Sequence, residues 1–128
     1  MDRMRLVVGF DGSEHSVRAL QRAASLAGDN GHVIVVSAIA ENAAPSDMVV
    51  RKGLLEEASA TLDKHGVPHS SIEGSGKPAA AIMKAADEHA ASLIVVGSRG
   101  RGAAASLLLG SCSYSLVHGA PHDVLVVR

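Results

Sequence analysis

Five short apolar runs alternate with longer amphipathic stretches along this chain of 128 residues. Three of the runs are almost unbroken in aliphatic residues, which is typical of strands buried on both faces of a parallel sheet. The third run in chain order is more polar and suits an edge of the sheet. The predicted strands span Leu6–Phe10, His32–Ser37, Val67–Glu73, Leu93–Gly97 and Val124–Val127.

The first two stretches between strands carry the periodicity and the end signals of helices. Asp11-Gly12 turns the chain into the first helix, with Ser13 as its expected N-cap, and a Gly-rich turn at 28–31 ends it. The second helix is expected from about Ser46 to His65. The residues expected to face the core from these helices are Val17, Leu20, Ala24, Ala27, Val49, Val50, Leu54, Leu55, Ala58 and Leu62.

Two further helices complete the pattern. Pro78 stands at the first position of the third helix, where no backbone N–H is needed, and the fourth spans Ser111–His118. The small inner face of the third helix consists of Ala81, Ile82, Ala85, Ala86 and Ala90. Strands that alternate with helices are joined by right-handed crossovers. We therefore predict one α/β domain over residues 1–128, a doubly wound, Rossmann-like parallel sheet of five strands in the order 3-2-1-4-5 with helices on both faces.

Composition excludes several classes of function. Twelve basic and thirteen acidic residues give a formal charge of -1, and Phe10 and Tyr114 are the only aromatic residues, which argues against nucleic-acid binding. The apolar stretch near the N-terminus is too short for a signal peptide or a membrane span, so we expect a cytoplasmic protein with no membrane partner. The single cysteine, Cys112, excludes an internal disulfide, and the seven histidines are too scattered to predict a metal site.

The segment from Leu93 to Ser111 has the chemistry of a phosphate-binding loop. Its glycines let backbone N–H groups approach an anion closely, and a helix start adds unpaired donors and a positive dipole end. Gly97, Gly100, Gly110 and Ser111 follow the pattern G-x2-G-x9-G-[ST]. Neither a P-loop nor the dinucleotide G-x-G-x-x-G pattern fits the chain.

At this point the chain resembles the universal stress protein family over essentially its whole length. The resemblance rests on D-G-S at 11–13, G-x-P at 76–78, LIVVGSRG at 93–100, LLLGS at 107–111 and P-x-x-V-L-V-V at 121–127. It implies the ATP-binding branch of the family, with Mg²⁺ or Mn²⁺ accompanying the phosphates, and a homodimer formed through Val124–Val127. The site residues carried over are Asp11, Gly12, Ser13, Ala38, Gly97, Ser98, Arg99, Gly100, Gly110, Ser111 and Cys112.

Several of these residues allow a second interpretation. Asp11 is either a ligand contact or a helix cap, and Arg99 and Arg101 either contact phosphate or are solvated. Cys112 is either a thiol activated by the helix start or a small buried residue. His15 either reaches the site or lies at the surface of the first turn, which is the position we expect. No nucleophile-base set appears. The leading hypothesis is an ATP-binding nucleotide sensor or carrier in stress response; the alternatives are a slow ATPase or phosphotransfer enzyme and a nucleotide-free dimeric interaction module.

Overall fold

The computed structural model describes residues 3–100 and 109–128, and the strands are all parallel. The strands are β1 (Arg5–Gly9), β2 (His32–Ile39), β3 (His69–Ser75), β4 (Leu93–Gly97) and β5 (Val124–Val127). The helices are α1 (Glu14–Ala27), α2 (Pro45–Lys64), α3 (Pro78–Glu88) and α4 (Ser111–Gly119). The sheet order is β3-β2-β1-β4-β5, so the predicted fold class and strand order are confirmed.

The central strand β1 shows how the sheet divides the core. Successive side chains of a strand point to opposite faces. Leu6 and Val8 pack with residues of α1 and α2, whereas Val7 packs with residues of α3 and α4 on the other face. All three are fully buried. The aliphatic runs thus serve two cores, one on each side of the sheet.

Helix α2 buries only part of its predicted apolar face. Val49 and Val50 are 71% and 55% exposed, so their predicted place in the core is wrong. The buried stripe is Arg51, Leu55, Ala58 and Leu62. These positions recur every three or four residues, and the two valines lie off that line. The sequence pattern correctly placed Leu55, Ala58 and Leu62 in the core and missed only Arg51, because a charged residue is not expected to face a core.

The Arg51 side chain reaches the sheet instead of solvent. Its Nη1 donates to the backbone oxygen of Gly74 at 2.8 Å, and its Nη2 contacts the carboxylate of Glu73 at 3.2 Å. The residue is 8% exposed. Long basic side chains can cover apolar surface with their stems while their polar ends find partners.

Two element ends differ from the sequence prediction for local reasons. Val67 precedes β3 because its N–H bonds to the carbonyl of Leu62, which closes the end of α2. Ala90 lies beyond α3 with φ of +49°, so its predicted place on the helix face is wrong. None of the helices within the described residues has the length and apolar character needed to span a membrane.

Candidate functional site

A cavity of about 540 Å³ opens beyond the C-terminal ends of β1 and β4. Ligands of doubly wound sheets bind at this position, where the strand order reverses. The predicted site residues that line it are Asp11, Ser13, Ala38, Gly97, Arg99, Gly100, Gly110, Ser111 and Cys112. Further lining residues, which the sequence did not single out, are Gly9, Phe10, Ser16, Val36, Pro78, Ile82, Val96 and Ser113. Arg101 lies outside the described residues.

The loop after β1 is held by a short chain of hydrogen bonds. Asp11 Oδ1 accepts from the N–H of Ser13 at 2.9 Å, and Ser13 Oγ accepts from the N–H of Ser16 at 3.2 Å. Ser13 is thus the N-cap of α1, as predicted. Gly12, between Asp11 and Ser13, turns the chain with φ of +79° and does not line the cavity. Asp11 therefore holds the turn before α1 and faces the cavity, whereas the cap of the helix is Ser13.

Two glycines allow the segments around the cavity to approach closely. A Cβ on Gly97 would lie 2.7 Å from the backbone carbon of His15, so any side chain there would push α1 away from β4. A Cβ on Gly100 would lie 2.6 Å from Oδ2 of Asp11. The Asp11 carboxylate therefore reaches the glycine loop across the mouth of the cavity.

Helix α4 begins at the cavity wall. Its N-cap is Gly110, which has no side chain with which to cap the first-turn N–H groups. The contrast with α1, which Ser13 caps, is a direct result of the two residue types. An uncapped helix start leaves donors and the positive end of the dipole directed at whatever lies in front of it. Ser111, Cys112 and Ser113, which form this first turn, all line the cavity.

Cys112 has the opposite character from an activated thiol. Burial, together with the nearby Asp11 carboxylate, raises the pKa of the Cys112 thiol to about 11. Both causes disfavour the negatively charged form. The hypothesis of a thiol activated by the helix start is therefore wrong, and Cys112 is a protonated residue of the cavity wall.

Ser98 lies behind the wall of the cavity: it is 4% exposed and does not line the cavity. Its N–H donates to the carbonyl of Val127 at 2.7 Å, and its own carbonyl accepts from the N–H of Gly110 at 2.7 Å and from Ser113 Oγ at 2.9 Å. Ser98 thereby joins the end of β4 to both β5 and the start of α4.

His15 lies beside the site, which is one of the two positions that the sequence allowed for it. Its Nδ1 lies 2.9 Å from Ser98 Oγ, and its Nε2 lies 3.4 Å from Nη2 of Arg99. The expected surface position is therefore wrong, since the residue is half-buried between α1 and the loop after β4. These contacts join positions more than eighty residues apart, and no local spacing encodes them.

The described part of the chain contains no group of three or more His, Cys, Asp or Glu side chains placed to hold a metal ion. His69 and His122, each of which follows another histidine by four residues, have separate hydrogen-bond partners. His69 Nε2 lies 2.7 Å from Ser59 Oγ, and His122 Nε2 lies 2.7 Å from Asp87 Oδ1. Among the described residues, any metal held at the cavity would draw on few protein ligands.

Comparison with known proteins adds to this geometry. The profile of the universal stress protein family matches residues 3–128. A universal stress protein of Mycobacterium tuberculosis is 33% identical over 138 residues, covering 96% of this chain and 94% of the relative. One of Thermus aquaticus is 36% identical over 136 residues, covering 96% and 97%.

Solved structures agree with these relatives. A universal stress protein in complex with cAMP has a TM-score of 0.79 and 30% identity, covering 98% of this chain and 97% of the other. A universal stress protein of Archaeoglobus fulgidus in complex with dAMP has a TM-score of 0.84 and 25% identity, covering 100% of both chains. Both similarities extend over the strands, loops and helices that surround the cavity.

Proposed function

The chain belongs to the universal stress protein family, and on that premise we propose that its cavity binds ATP and that the protein is a nucleotide sensor or carrier in stress response. The observation that carries the proposal is the uncapped start of α4 at the cavity wall, where Gly110 leaves first-turn donors without a capping side chain. A helix start of this kind favours phosphate.

The other parts of the cavity suit the rest of a nucleotide. Its volume, about 540 Å³, lies within the usual range for small-molecule sites. Val36, Ile82 and Val96 give it an apolar wall for a base, while Ala38 at the end of β2 offers backbone groups to the edge of that base. Arg99 adds a cation on the phosphate side. The structures with bound cAMP and dAMP support an adenine nucleotide as the ligand.

The proposal is tested by isothermal titration of ATP into the wild type and two matched variants. Gly110→Val places a branched side chain between the start of α4 and the backbone of the glycine loop, 3.4 Å from Arg99 Cα at its Cβ, and we expect at least tenfold weaker binding. Gly119→Val, at the other end of the same helix, meets open space and should bind as the wild type does. Thermal unfolding of all three proteins checks the fold, and mass spectrometry of denatured wild type should detect co-purified ATP or AMP.

Two results would contradict the proposal. Wild-type protein that gives no heat with millimolar ATP would favour the nucleotide-free interaction module. Normal affinity in a folded Gly110→Val variant would show that the start of α4 is not the phosphate site.

We also propose that Asp11 holds Mg²⁺ or Mn²⁺ together with the phosphates. Its carboxylate reaches the loop carrying Gly100, and carboxylate oxygen is the ligand type both ions accept. Mg²⁺ keeps several waters and commonly takes one or two carboxylates plus phosphate oxygens. Asp11→Asn should therefore weaken binding of Mg-ATP while strengthening binding of ATP in EDTA, since it removes a negative charge. Equal effects in both titrations would reject the metal contact.

We also propose a homodimer formed through Val124–Val127, and the outer edge of the sheet supports it. β5 is an edge strand of the described sheet, and three of its four residues are only half-buried. The opposite edge, β3, is mainly polar. An apolar edge strand needs cover, and a second copy of the same strand supplies it by symmetry.

Sedimentation analysis tests this interface. Val126→Lys places a charge on the proposed interface and should convert a dimer to a monomer at micromolar concentration. Ser71→Lys, on the exposed face of β3, is the matched control and should leave the mass unchanged. A wild type that sediments as a monomer, or a folded Val126→Lys variant that stays dimeric, rejects the interface.

A further inference from the structure

The contacts of His15 indicate which ring nitrogen carries the hydrogen. A guanidinium has donors only, so the 3.4 Å contact between Arg99 Nη2 and His15 Nε2 requires Nε2 to accept. This contact is made by the tautomer that carries its hydrogen on Nδ1. That hydrogen points at Ser98 Oγ, 2.9 Å away, and the hydroxyl accepts it.

The His15 side chain is attached to rigid parts of the molecule. The backbone of His15 packs so closely against Gly97 that a Cβ on Gly97 would have no room. Its ring rests on Ser98, whose backbone is bonded to Val127 and to Gly110. An imidazole held in this way keeps a fixed acceptor in front of the Arg99 guanidinium.

Arg99 has a long side chain with many rotamers, it lines the cavity, and its backbone lies beside the start of α4. Ordering such a side chain costs conformational entropy when a ligand binds. A partner that orders it beforehand raises affinity without touching the ligand. His15 lies outside the cavity lining, so any effect it has on the ligand passes through a neighbour.

We infer that His15 is a positioning residue that holds the Arg99 guanidinium toward the phosphate end of the ligand. The inference rests on the proposed function, because it takes ATP as the ligand of the cavity. It assigns a role in binding to a residue of α1 that does not contact the ligand.

Three substitutions separate the two contacts of the ring. An Asn amide reaches about as far as Nδ1, so His15→Asn keeps the bond to Ser98 and loses the contact with Arg99. A Gln amide reaches about as far as Nε2, so His15→Gln keeps an acceptor for Arg99. We expect His15→Asn and His15→Ala to bind ATP about fivefold more weakly, and His15→Gln to bind within about twofold of the wild type. His118→Asn, at an exposed position near the end of α4, is the matched control.

A double-mutant cycle with Arg99→Ala identifies the route of the effect. Because His15 acts through Arg99, the loss caused by His15→Ala should disappear in the Arg99→Ala background. An equal loss in both backgrounds would overturn the inference. So would wild-type affinity in the His15→Asn variant, or a His15→Gln variant as weak as His15→Ala.

The hydrogen bond itself is tested without nucleotide. Long-range ¹H–¹⁵N correlation spectra of the ligand-free protein should show His15 as the Nδ1–H tautomer, with an Nε2 resonance that shifts in Arg99→Ala. The opposite tautomer would overturn this inference alone and leave ATP binding untouched. Wild-type protein with the expected tautomer and no affinity for ATP would instead overturn the proposed function, and with it the role of His15 in binding.

Discussion

Cys112 should be among the least reactive of solvent-accessible thiols, and the chain is well suited to measuring this. It is the single cysteine of the sequence, so alkylation of the protein reports on this residue alone. Burial and the Asp11 carboxylate raise its pKa from 9.0 to about 11. Unfolding removes both causes and is therefore the perturbation to apply.

The size of the effect follows from the two pKa values. Only the thiolate reacts, and at pH 8 a thiol with a pKa of 9.0 is about 10% ionised while one with a pKa of about 11 is about 0.1% ionised. The folded protein should therefore react about 100-fold more slowly than the unfolded chain. The folded rate should also rise about tenfold per pH unit between pH 7.5 and 9.5, whereas the unfolded rate approaches its plateau.

The assay is the pseudo-first-order rate of alkylation by iodoacetamide, with and without guanidinium chloride, using Cys112→Ser as the blank. Adding ATP should slow the folded rate further, because the thiol lines the proposed binding cavity. A folded rate at pH 8 within threefold of the unfolded rate would refute the reasoning. It would mean that the start of α4 outweighs burial.

Three further results are expected for stability, each read from urea unfolding. Gly97→Ala should lower the free energy of unfolding by about 1–3 kcal/mol by forcing α1 from β4, whereas Gly53→Ala, in an exposed part of α2 with open space around it, should raise it by about 1 kcal/mol. Arg51→Ala should lower the free energy of unfolding by about 2 kcal/mol, because it loses the bond to a buried carbonyl. Val50→Ala, at the exposed neighbouring position, should lower it by less than about 0.5 kcal/mol. Burial lowers the pKa of His32, so its contribution to stability is present above pH 6.5 and lost as the pH falls below it; His32→Asn should flatten that slope.

The order and type of every strand and helix could be predicted because each carries its own local signal. The buried strands are continuous aliphatic runs, and Ser13 and Pro78 mark helix starts by their chemistry. In helix α2 the pattern located Leu55, Ala58 and Leu62 but missed the fourth core position, Arg51. A charged residue counts as solvent-facing in any periodicity argument, and its partners on β3 are set by the tertiary fold.

The glycines that line the cavity were predicted more completely than the side-chain contacts around it. Glycine spacing reports where the chain must approach closely, and Gly97, Gly100 and Gly110 all line the cavity. His15 and Ser98 depend on which side chains the crossovers bring together, and that information is absent from local sequence. Ser98 was carried over as a site residue from the family resemblance, yet its polar groups pair with the protein.

Two effects act in opposite directions on the pKa of Cys112. A helix start stabilises a nearby negative charge by about 0.3–1 kcal/mol, which lowers a pKa by less than about one unit. Burial can move a pKa by several units in the other direction, and Asp11 adds repulsion to it. The start of α4 therefore retains its positive end without a thiolate to neutralise it. A thiolate at this position would compete with phosphate for the same donors, so the protonated state of Cys112 favours an anionic ligand in front of the helix.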